Sequence, residues 1–185
     1  MKKKIIIILG LVISLILILA GYYIKQNSPQ EYYLNTEQSY SDTIAQINHI
    51  ENKEEITIHQ SITVRKYIGI LAQYKDQIYF YLFKSTLGNY YEIFYTKTMG
   101  IKDENIYYKV VSNQDDYTVF AFGYNFEDEI IEFYPLGAYE TTTYNTEFYP
   151  YSYGISVLDV GGSAPEEIRI NNQSHEFIGQ AKRCE

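Results

Sequence analysis

The chain has 185 residues and a formal net charge of −8 at pH 7, with 22 tyrosines, one cysteine and no tryptophan. This length leaves room for one domain with a sizeable core beside a membrane segment, and not for two. The acidic balance excludes nucleic acid as a partner, because like charges repel, and the single cysteine excludes an intramolecular disulfide.

Residues 5–24 form an uncharged and almost entirely apolar stretch. About 20 residues of α-helix cross the hydrocarbon core of a bilayer, so this stretch predicts a transmembrane helix. Lys2, Lys3 and Lys4 precede it, whereas only Lys25 follows closely, and the flank richer in lysine stays in the cytoplasm. We therefore expect a single-pass protein of the cell membrane that contacts the lipid bilayer through residues 5–24, with the rest of the chain outside.

A cleaved signal peptide is the alternative for this segment, because Ala20 and Gly21 follow a basic start and an apolar core. The core of a signal peptide has about 7 to 15 residues, which is shorter than this one. Cleavage after Ala20 would also place the bulky Ile18 where a small residue is needed. We favour an uncleaved signal-anchor over residues 1–25. The frequent use of Ile, Tyr, Asn and Lys is typical of bacteria with AT-rich genomes.

Residues 26–40 have no regular period and contain Ser28 and Pro29, which is typical of a tether. Residues 41–43 then offer capping side chains ahead of three isoleucines at a spacing of three. This pattern predicts a short helix or a first strand. The extracytoplasmic domain is accordingly predicted over residues 41–185. The chain after the anchor, residues 26–185, carries 11 basic and 23 acidic residues.

From residue 55 onward the apolar residues alternate with a period of two, which predicts β-strands. In the segment 77–83, Ile78, Phe80 and Leu82 are expected on one face, with three aromatic residues on the other. Strands are predicted at 56–64, 67–73, 77–83, 90–96, 106–112, 117–124, 130–134, 154–160 and 168–170, the last with a continuation toward 177. Short turn signals between them indicate antiparallel pairing without parallel crossovers. The fold class is therefore mainly β, as a sandwich-like or bent-sheet domain.

The segment 132–153 contains the tetrad Glu-Phe-Tyr-Pro twice and tyrosines that recur every five residues. Neither helix nor strand has that period, and two prolines favour a long loop or an edge hairpin. Long loops rich in Tyr, Ser and Asn are typical of recognition surfaces. The candidate binding residues are Tyr139, Tyr144, Tyr149, Tyr151 and Tyr153. The alternative is that the loop folds back and its tyrosines cover the sheet.

No motif of catalysis or metal binding is recognisable in the sequence. The three histidines are isolated, and no serine lies in a Gly-x-Ser-x-Gly elbow. Residues 127–129 with Asn125 are a weak calcium candidate, and a solvated acidic turn explains them better. We expect no catalytic residue, no metal and no cofactor. Cys184 is expected to be a mobile thiol, with an intermolecular disulfide as the alternative.

These features favour a non-enzymatic, membrane-anchored module that binds another cell-surface protein or serves as an accessory factor. One alternative is a hydrolase acting on the cell wall. Its acid and base would come from pairs among Glu129, Glu132, Glu147 and Asp159, because two carboxylates at a suitable separation cleave glycosidic bonds. The other alternative is a structural subunit of a membrane assembly, in which small residues of the helix make the contact.

Overall fold

The structure is a computed structural model that describes residues 13–21, 23, 28–145 and 148–185. The chain divides into two compact units, Met1–Glu31 and Tyr32–Glu185. In the first unit, residues 13–21 are helical and their large apolar side chains are half or more exposed. Within the described part of the chain, no helix combines the length and the apolar character that crossing a bilayer requires. The predicted anchor over residues 5–24 lies partly outside the described residues.

The rest of the described chain is mainly β, as predicted. Apart from the helical residues 13–21, the described residues contain one α-helix, one short 3-10 turn and thirteen strands. They are β1 (Glu31–Tyr33), α1 (Glu37–Asn48), the 3-10 turn (Lys53–Glu55), β2 (Thr57–Val64), β3 (Tyr67–Tyr74), β4 (Gln77–Leu87), β5 (Tyr90–Gly100), β6 (Tyr107–Asn113), β7 (Asp116–Tyr124), β8 (Ile131–Leu136), β9 (Tyr139–Asn145), β10 (Tyr153–Gly161), β11 (Glu167–Asn172), β12 (Phe177–Gln180) and β13 (Lys182–Arg183).

The strands form three sheets, which we name A, B and C. Sheet A has the order β1-β5-β4-β3-β2, sheet B the order β13-β6-β7-β10-β9, and sheet C the order β12-β11-β8. Hairpin neighbours such as β3 with β4 and β6 with β7 are antiparallel, which confirms the predicted mode of pairing. The short strand β13 is an exception, because it runs parallel to β6. The chain passes from β12 in sheet C back to the edge of sheet B at β13. Turn signals in the sequence do not predict this change of sheet.

Sheets A and B pack face to face and enclose the largest part of the core. The rings of Phe80 on β4 and Phe122 on β7 stack with their centroids 3.7 Å apart. Ile78 and Leu82 point into the same cluster as Phe80, whereas Tyr81 and Phe83 point to the opposite face of sheet A. The alternation predicted for β4 is therefore confirmed.

Helix α1 covers the outer face of sheet A, where Ile44 and Ala45 are buried against strand residues such as Ile70. The helix begins earlier than the predicted caps at residues 41–43. Thr36 is the N-cap, and its hydroxyl accepts a hydrogen bond from the Ser39 amide at 3.2 Å. The Ser39 hydroxyl accepts from the Thr36 amide in return at 3.0 Å.

The predicted tether over residues 26–40 includes residues that belong to the folded domain. Strand β1 joins the edge of sheet A, and Tyr32 and Leu34 are buried in the cluster beneath helix α1. The Leu34 amide donates to the carbonyl oxygen of Asn89 at 3.0 Å. The domain therefore begins about nine residues before the predicted boundary at residue 41. A three-residue strand is too short to show a period of two.

Sheet C covers the outer face of sheet B, with Phe133 and Ile168 packed against residues of β7 and β10 such as Val119 and Leu158. Its edge strand β8 and the edge strand β9 of sheet B both lie in the segment predicted as a loop or edge hairpin. The two strands are not a hairpin, because they belong to different sheets. Pro135 is tolerated in β8 because an edge strand has one side without ladder hydrogen bonds.

Cys184 is buried in the core between sheets A and B, with 8 % of its surface exposed. Its amide donates to the carbonyl oxygen of Tyr108 at 2.8 Å, next to the parallel pairing of β13 with β6. The prediction of a mobile thiol is therefore wrong, because this pairing holds the segment in place. A buried thiol is also not presented to a second copy, which removes the basis of the disulfide alternative.

Candidate functional site

The structure places the five candidate tyrosines in two separate regions. Tyr139 begins β9 and pairs with Gly161, at the far end of β10 from Tyr153. The eight residue steps from Tyr153 to Gly161 correspond to about 26 Å. Tyr149 and Tyr151 are exposed in the loop that leads into Tyr153. The side chain of Tyr144 lies outside the described part of the structure.

Aromatic side chains from three elements meet at the end of the domain that holds Tyr153. Its ring contacts Tyr124 at a centroid distance of 4.9 Å, and Tyr124 contacts Phe126 at 4.8 Å, both edge to face. On the other side, Tyr153 lies 4.5 Å from the ring of His59 on β2. We name Tyr124, Phe126, Tyr149, Tyr151 and Tyr153 the aromatic end. Edge-to-face ring pairs add stability beyond burial, so this arrangement is preorganised.

Asn125 fixes the loop that carries the exposed tyrosines. Its side chain is 1 % exposed, and its amide group donates to the carbonyl oxygens of Phe148 at 2.9 Å and Tyr149 at 3.2 Å. The backbone amide of Asn125 donates to the carbonyl oxygen of Ser152 at 2.9 Å. A buried asparagine with this many partners holds the backbone in one conformation. The side chains of Tyr149 and Tyr151 therefore project from a fixed loop.

The β5–β6 loop is fixed beside the same residues by Asp103. One carboxylate oxygen accepts from the Asn105 amide at 3.0 Å and the other from the Tyr107 hydroxyl at 3.1 Å. Burial raises the pKa of Asp103, but these hydrogen bonds together lower it below its ordinary value of 3.8. The Lys102 amide donates to the Tyr153 hydroxyl at 2.8 Å, which joins the loop to the aromatic end. Burial raises the pKa of Tyr153 and keeps this phenol neutral.

A shallow depression of about 170 Å³ opens beside Phe126. Apolar side chains of Ile106 and Ile178 line it, and Glu104 and Glu127 stand at its margin. Both glutamates are exposed, as is the neighbouring Asp128. The aromatic end is therefore bordered by these three acidic side chains and by one basic side chain, Lys102, whose ammonium group lies 5.7 Å from the centre of the Tyr124 ring. An apolar centre with an acidic border is complementary to a basic protein segment that also carries apolar groups.

The carboxylates of the hydrolase alternative do not converge with this depression. Asp159 is buried at the opposite end of β10, where it accepts from Thr118 and from Arg65, each at 2.6 Å. Glu132 accepts from the Tyr134 hydroxyl at 2.7 Å on sheet C. Glu147 lies outside the described residues. Because Asp159 is enclosed in this way, its carboxylate cannot reach a polymeric substrate.

No group of three or more potential ligands is placed to hold a metal ion within the described ranges. At the calcium candidate, the side-chain oxygen of Asn125 accepts from the Glu127 amide at 2.9 Å, so this oxygen serves the loop itself. His49, His59 and His175 lie on different elements. His59 is within 3.0 Å of the Gln73 side-chain oxygen, a contact between neighbouring strands.

The sequence predicts Tyr149, Tyr151 and Tyr153 as candidate binding residues, but it does not indicate Tyr124, which packs against Tyr153, or Phe126, which packs against Tyr124. The missed residues belong to the run Tyr-Asn-Phe at the end of β7, where a strand continues directly into an asparagine. That asparagine is the signal that a turn rich in side-chain hydrogen bonds follows. Comparisons with protein-family models, curated proteins and solved structures find no match to this chain.

Proposed function

We propose that this protein is a single-pass membrane protein whose extracytoplasmic β domain binds another protein through the aromatic end. The anchor is supported by the uncharged segment 5–24 and by the three lysines before it. It is also supported by the exposed apolar side chains of the helical residues 13–21, for example Ile18 at 67 %. Lipid is the environment in which such a helix surface is stable.

One observation carries the binding role: Phe126, Tyr149 and Tyr151 are 40 %, 61 % and 62 % exposed on a backbone that Asn125 holds fixed. Exposed large aromatic groups are common singly, but a cluster on a rigid loop is typical of interaction sites. Tyrosine is enriched at such sites because its ring gives contact area at low entropic cost. The acidic border favours a basic segment as the partner.

We propose a non-enzymatic role for the domain. The hydrolase alternative has less support, because Asp159 and Glu129 lie at opposite ends of β10 and Asp159 is enclosed. The structural-subunit alternative depends on residues of the anchor, and it differs from our proposal in the part of the chain that makes the contact.

The test is affinity capture of the full-length protein from gently solubilised membranes, with mass spectrometry of its companions. The variant Tyr149→Ala/Tyr151→Ala is expected to reduce a stoichiometric companion at least about tenfold, because truncating aromatic residues at the centre of an interface has large effects. The matched control is Tyr139→Ala, since Tyr139 is 81 % exposed but lies at the other end of β10.

Equal loss of the companion in both variants would indicate a non-specific effect, and no loss in either would overturn the role of the aromatic end. Because all three tyrosines are exposed, the variants are expected to keep the fold, which circular dichroism checks. A companion that survives the double variant but depends on the helix would favour the structural-subunit alternative.

A further inference from the structure

The hairpin between β4 and β5 ends in an exposed apolar tip. Leu87 is 79 % exposed and Tyr90 is 49 % exposed, on either side of the turn at Gly88 and Asn89. Gly88 has a φ of 60°, which suits the first central residue of a tight two-residue hairpin turn. Residues 85–91 contain no charged side chain, although the domain is strongly acidic.

Tyr33 extends this apolar surface from the neighbouring strand. Its ring lies 5.5 Å from that of Tyr90, edge to face, and 48 % of its surface is exposed. We name residues 86–91 together with Tyr33 the hairpin tip. The hydrogen bond from Leu34 to the Asn89 carbonyl oxygen ties this surface to the first strand of the domain.

The hairpin tip lies at the end of sheet A where the chain enters the domain, and the aromatic end lies at the other. Gln77 and Gly100 pair at the distal end of the β4–β5 hairpin, two residues before Lys102 contacts Tyr153. The ten residue steps along β4 from Gln77 to Leu87 correspond to about 33 Å. The two surfaces are therefore separated by the whole length of the hairpin.

The amino-acid sequence limits how far the hairpin tip can be from a bilayer that residues 5–24 span. Eight residue steps separate Ile24 from Tyr32. A fully extended chain of eight residues covers at most about 29 Å. Tyr33 is nine residue steps from Ile24, so it lies within about 32 Å of the outer end of this segment. The domain surface next to Tyr33, which includes the turn at Gly88, is therefore within reach of the outer leaflet. This step depends on the membrane anchor of the proposed function.

We propose that the hairpin tip inserts into the interfacial layer of the outer leaflet and is a second membrane contact of this protein. Leucine at a turn enters the boundary between headgroups and acyl chains, and tyrosine rings occupy the headgroup level with their hydroxyls hydrated. The absence of charge in residues 85–91 removes the main obstacle to insertion. The contact orients the domain with the aromatic end away from the membrane.

The chain contains no tryptophan, so one substitution provides a fluorescent reporter at a chosen place. The full-length Leu87→Trp variant is reconstituted into phosphatidylcholine vesicles, with and without lipids brominated near the top of the acyl chains. The matched control is Tyr149→Trp, because Tyr149 is also exposed but belongs to the aromatic end. Both positions accept a large side chain without disturbing the core.

We expect the emission of Leu87→Trp to shift to shorter wavelength in vesicles and to be quenched about twofold or more by the brominated lipids, as for a residue at the interface. The emission of Tyr149→Trp is expected to remain that of a water-exposed indole and to be unaffected by bromine. This pair of results would support the hairpin tip as a membrane contact.

Flotation of the same samples shows whether the protein is anchored in the vesicles at all, independently of whether the hairpin tip contacts the lipid. If both variants float with the vesicles but the Leu87→Trp emission is neither shifted nor quenched, the anchor stands and the membrane contact is overturned. If neither variant floats, the anchor fails and the membrane contact fails with it. A shift that appears without lipid and grows with protein concentration would indicate contact with a second copy and would also overturn the inference.

Discussion

At the scale of single residues, Asp103 links pH to the order of the aromatic end. Its native pKa lies below the ordinary value, because hydrogen bonds from Asn105 and Tyr107 outweigh the effect of burial. A carboxyl group with a lowered native pKa contributes stability that is complete above about pH 5 and is lost as the pH falls through the native pKa. Acid is therefore expected to release the β5–β6 loop before it disturbs the core.

The exchange Asp103→Asn tests this link, since the amide has the same shape without the charge. We expect it to lower the free energy of unfolding by about 1 kcal/mol at pH 7, a value reduced for partial solvent exposure. The difference from the native protein should shrink as the pH falls below about 3.8 and should vanish once the pH lies below the lowered native pKa. Urea unfolding followed by circular dichroism at several pH values measures it.

Asp76→Asn is the matched control for Asp103, because Asp76 is exposed in the β3–β4 turn. It is expected to change the free energy of unfolding by less than about 0.5 kcal/mol across the same pH range. A pH-independent loss in Asp103→Asn would contradict the assignment, since it would point to altered packing of the loop.

Part of the aromatic end could be predicted from the sequence at this scale. The density of tyrosine in residues 139–153 makes Tyr149 and Tyr151 candidates for a binding surface but leaves open whether they cover the sheet, and in the structure both side chains are exposed. The role of Asn125 was not predictable, because the carbonyl groups it binds belong to residues 23 and 24 positions later. A sequence pattern reports neighbours along the chain and not partners at that separation.

At the scale of elements, Gly154 on β10 is the position where the loop and sheet B come closest. A Cβ atom at residue 154 would lie 2.7 Å from Cδ1 of the Phe148 ring. Phe148 is fully buried, so its ring has little room to move. We expect Gly154→Ala to lower the free energy of unfolding by about 2 kcal/mol, the usual cost of overpacking, as measured by urea unfolding.

The control is Gly100→Ala on β5, where nothing lies within 4 Å of the added Cβ. This exchange is expected to be neutral within about 0.5 kcal/mol. If the close contact is the cause, Gly154→Ala/Phe148→Leu should be less destabilised than the two single changes predict by addition. Equal stability of Gly154→Ala and Gly100→Ala would refute the contact.

The elements that could be predicted are those long enough to show a period. Residues 77–83 of β4 alternate, and the faces predicted for Ile78, Phe80 and Leu82 and for the aromatic residues between them are confirmed. By contrast, β1 has three residues and β13 has two, so neither has a pattern to detect. The start of α1 was missed because serine stands where a capping box usually carries glutamate or glutamine.

At the scale of the whole molecule, Arg65 connects the β2–β3 turn of sheet A with β10 of sheet B. Its guanidinium group donates to Asp159 at 2.6 Å, and the Asp159 side chain is 2 % exposed. We expect Arg65→Met to lower the free energy of unfolding by about 2 kcal/mol, because the charge left on Asp159 is buried. The measurement is urea unfolding at neutral pH.

A double-mutant cycle with Asp159→Asn measures the interaction energy between Arg65 and Asp159, the ion pair that connects sheets A and B. The double variant is expected to be more stable than the sum of the single changes predicts, by about 1 kcal/mol or more. The control is Lys53→Met, which removes an ion pair to Asp42 whose side chains are both 48 % exposed. That change should cost less than about 0.5 kcal/mol. Additive effects in the cycle would show that Arg65 and Asp159 act independently.

The arrangement of the three sheets could not be predicted from the sequence. The sequence predicts one long loop or edge hairpin over residues 132–153, whereas the two strands in this segment belong to sheets C and B. Tyr139 and Tyr149 lie at opposite ends of β10, although they are ten residues apart in the chain, because β9 runs antiparallel along β10 between them. The choice of sheet depends on which apolar face each strand covers, and that is set by residues far away in the sequence.

The position of Cys184 in the core has a consequence for biosynthesis. Sheet A uses residues 31–100 and can form while the chain is still being made, but sheet B requires β13 at its edge. Until residue 184 has been synthesised, the core between the two sheets lacks a side chain and β6 has an open edge. A chain that has not yet reached residue 184 therefore exposes apolar surface and an unpaired strand edge, and both features favour aggregation during folding.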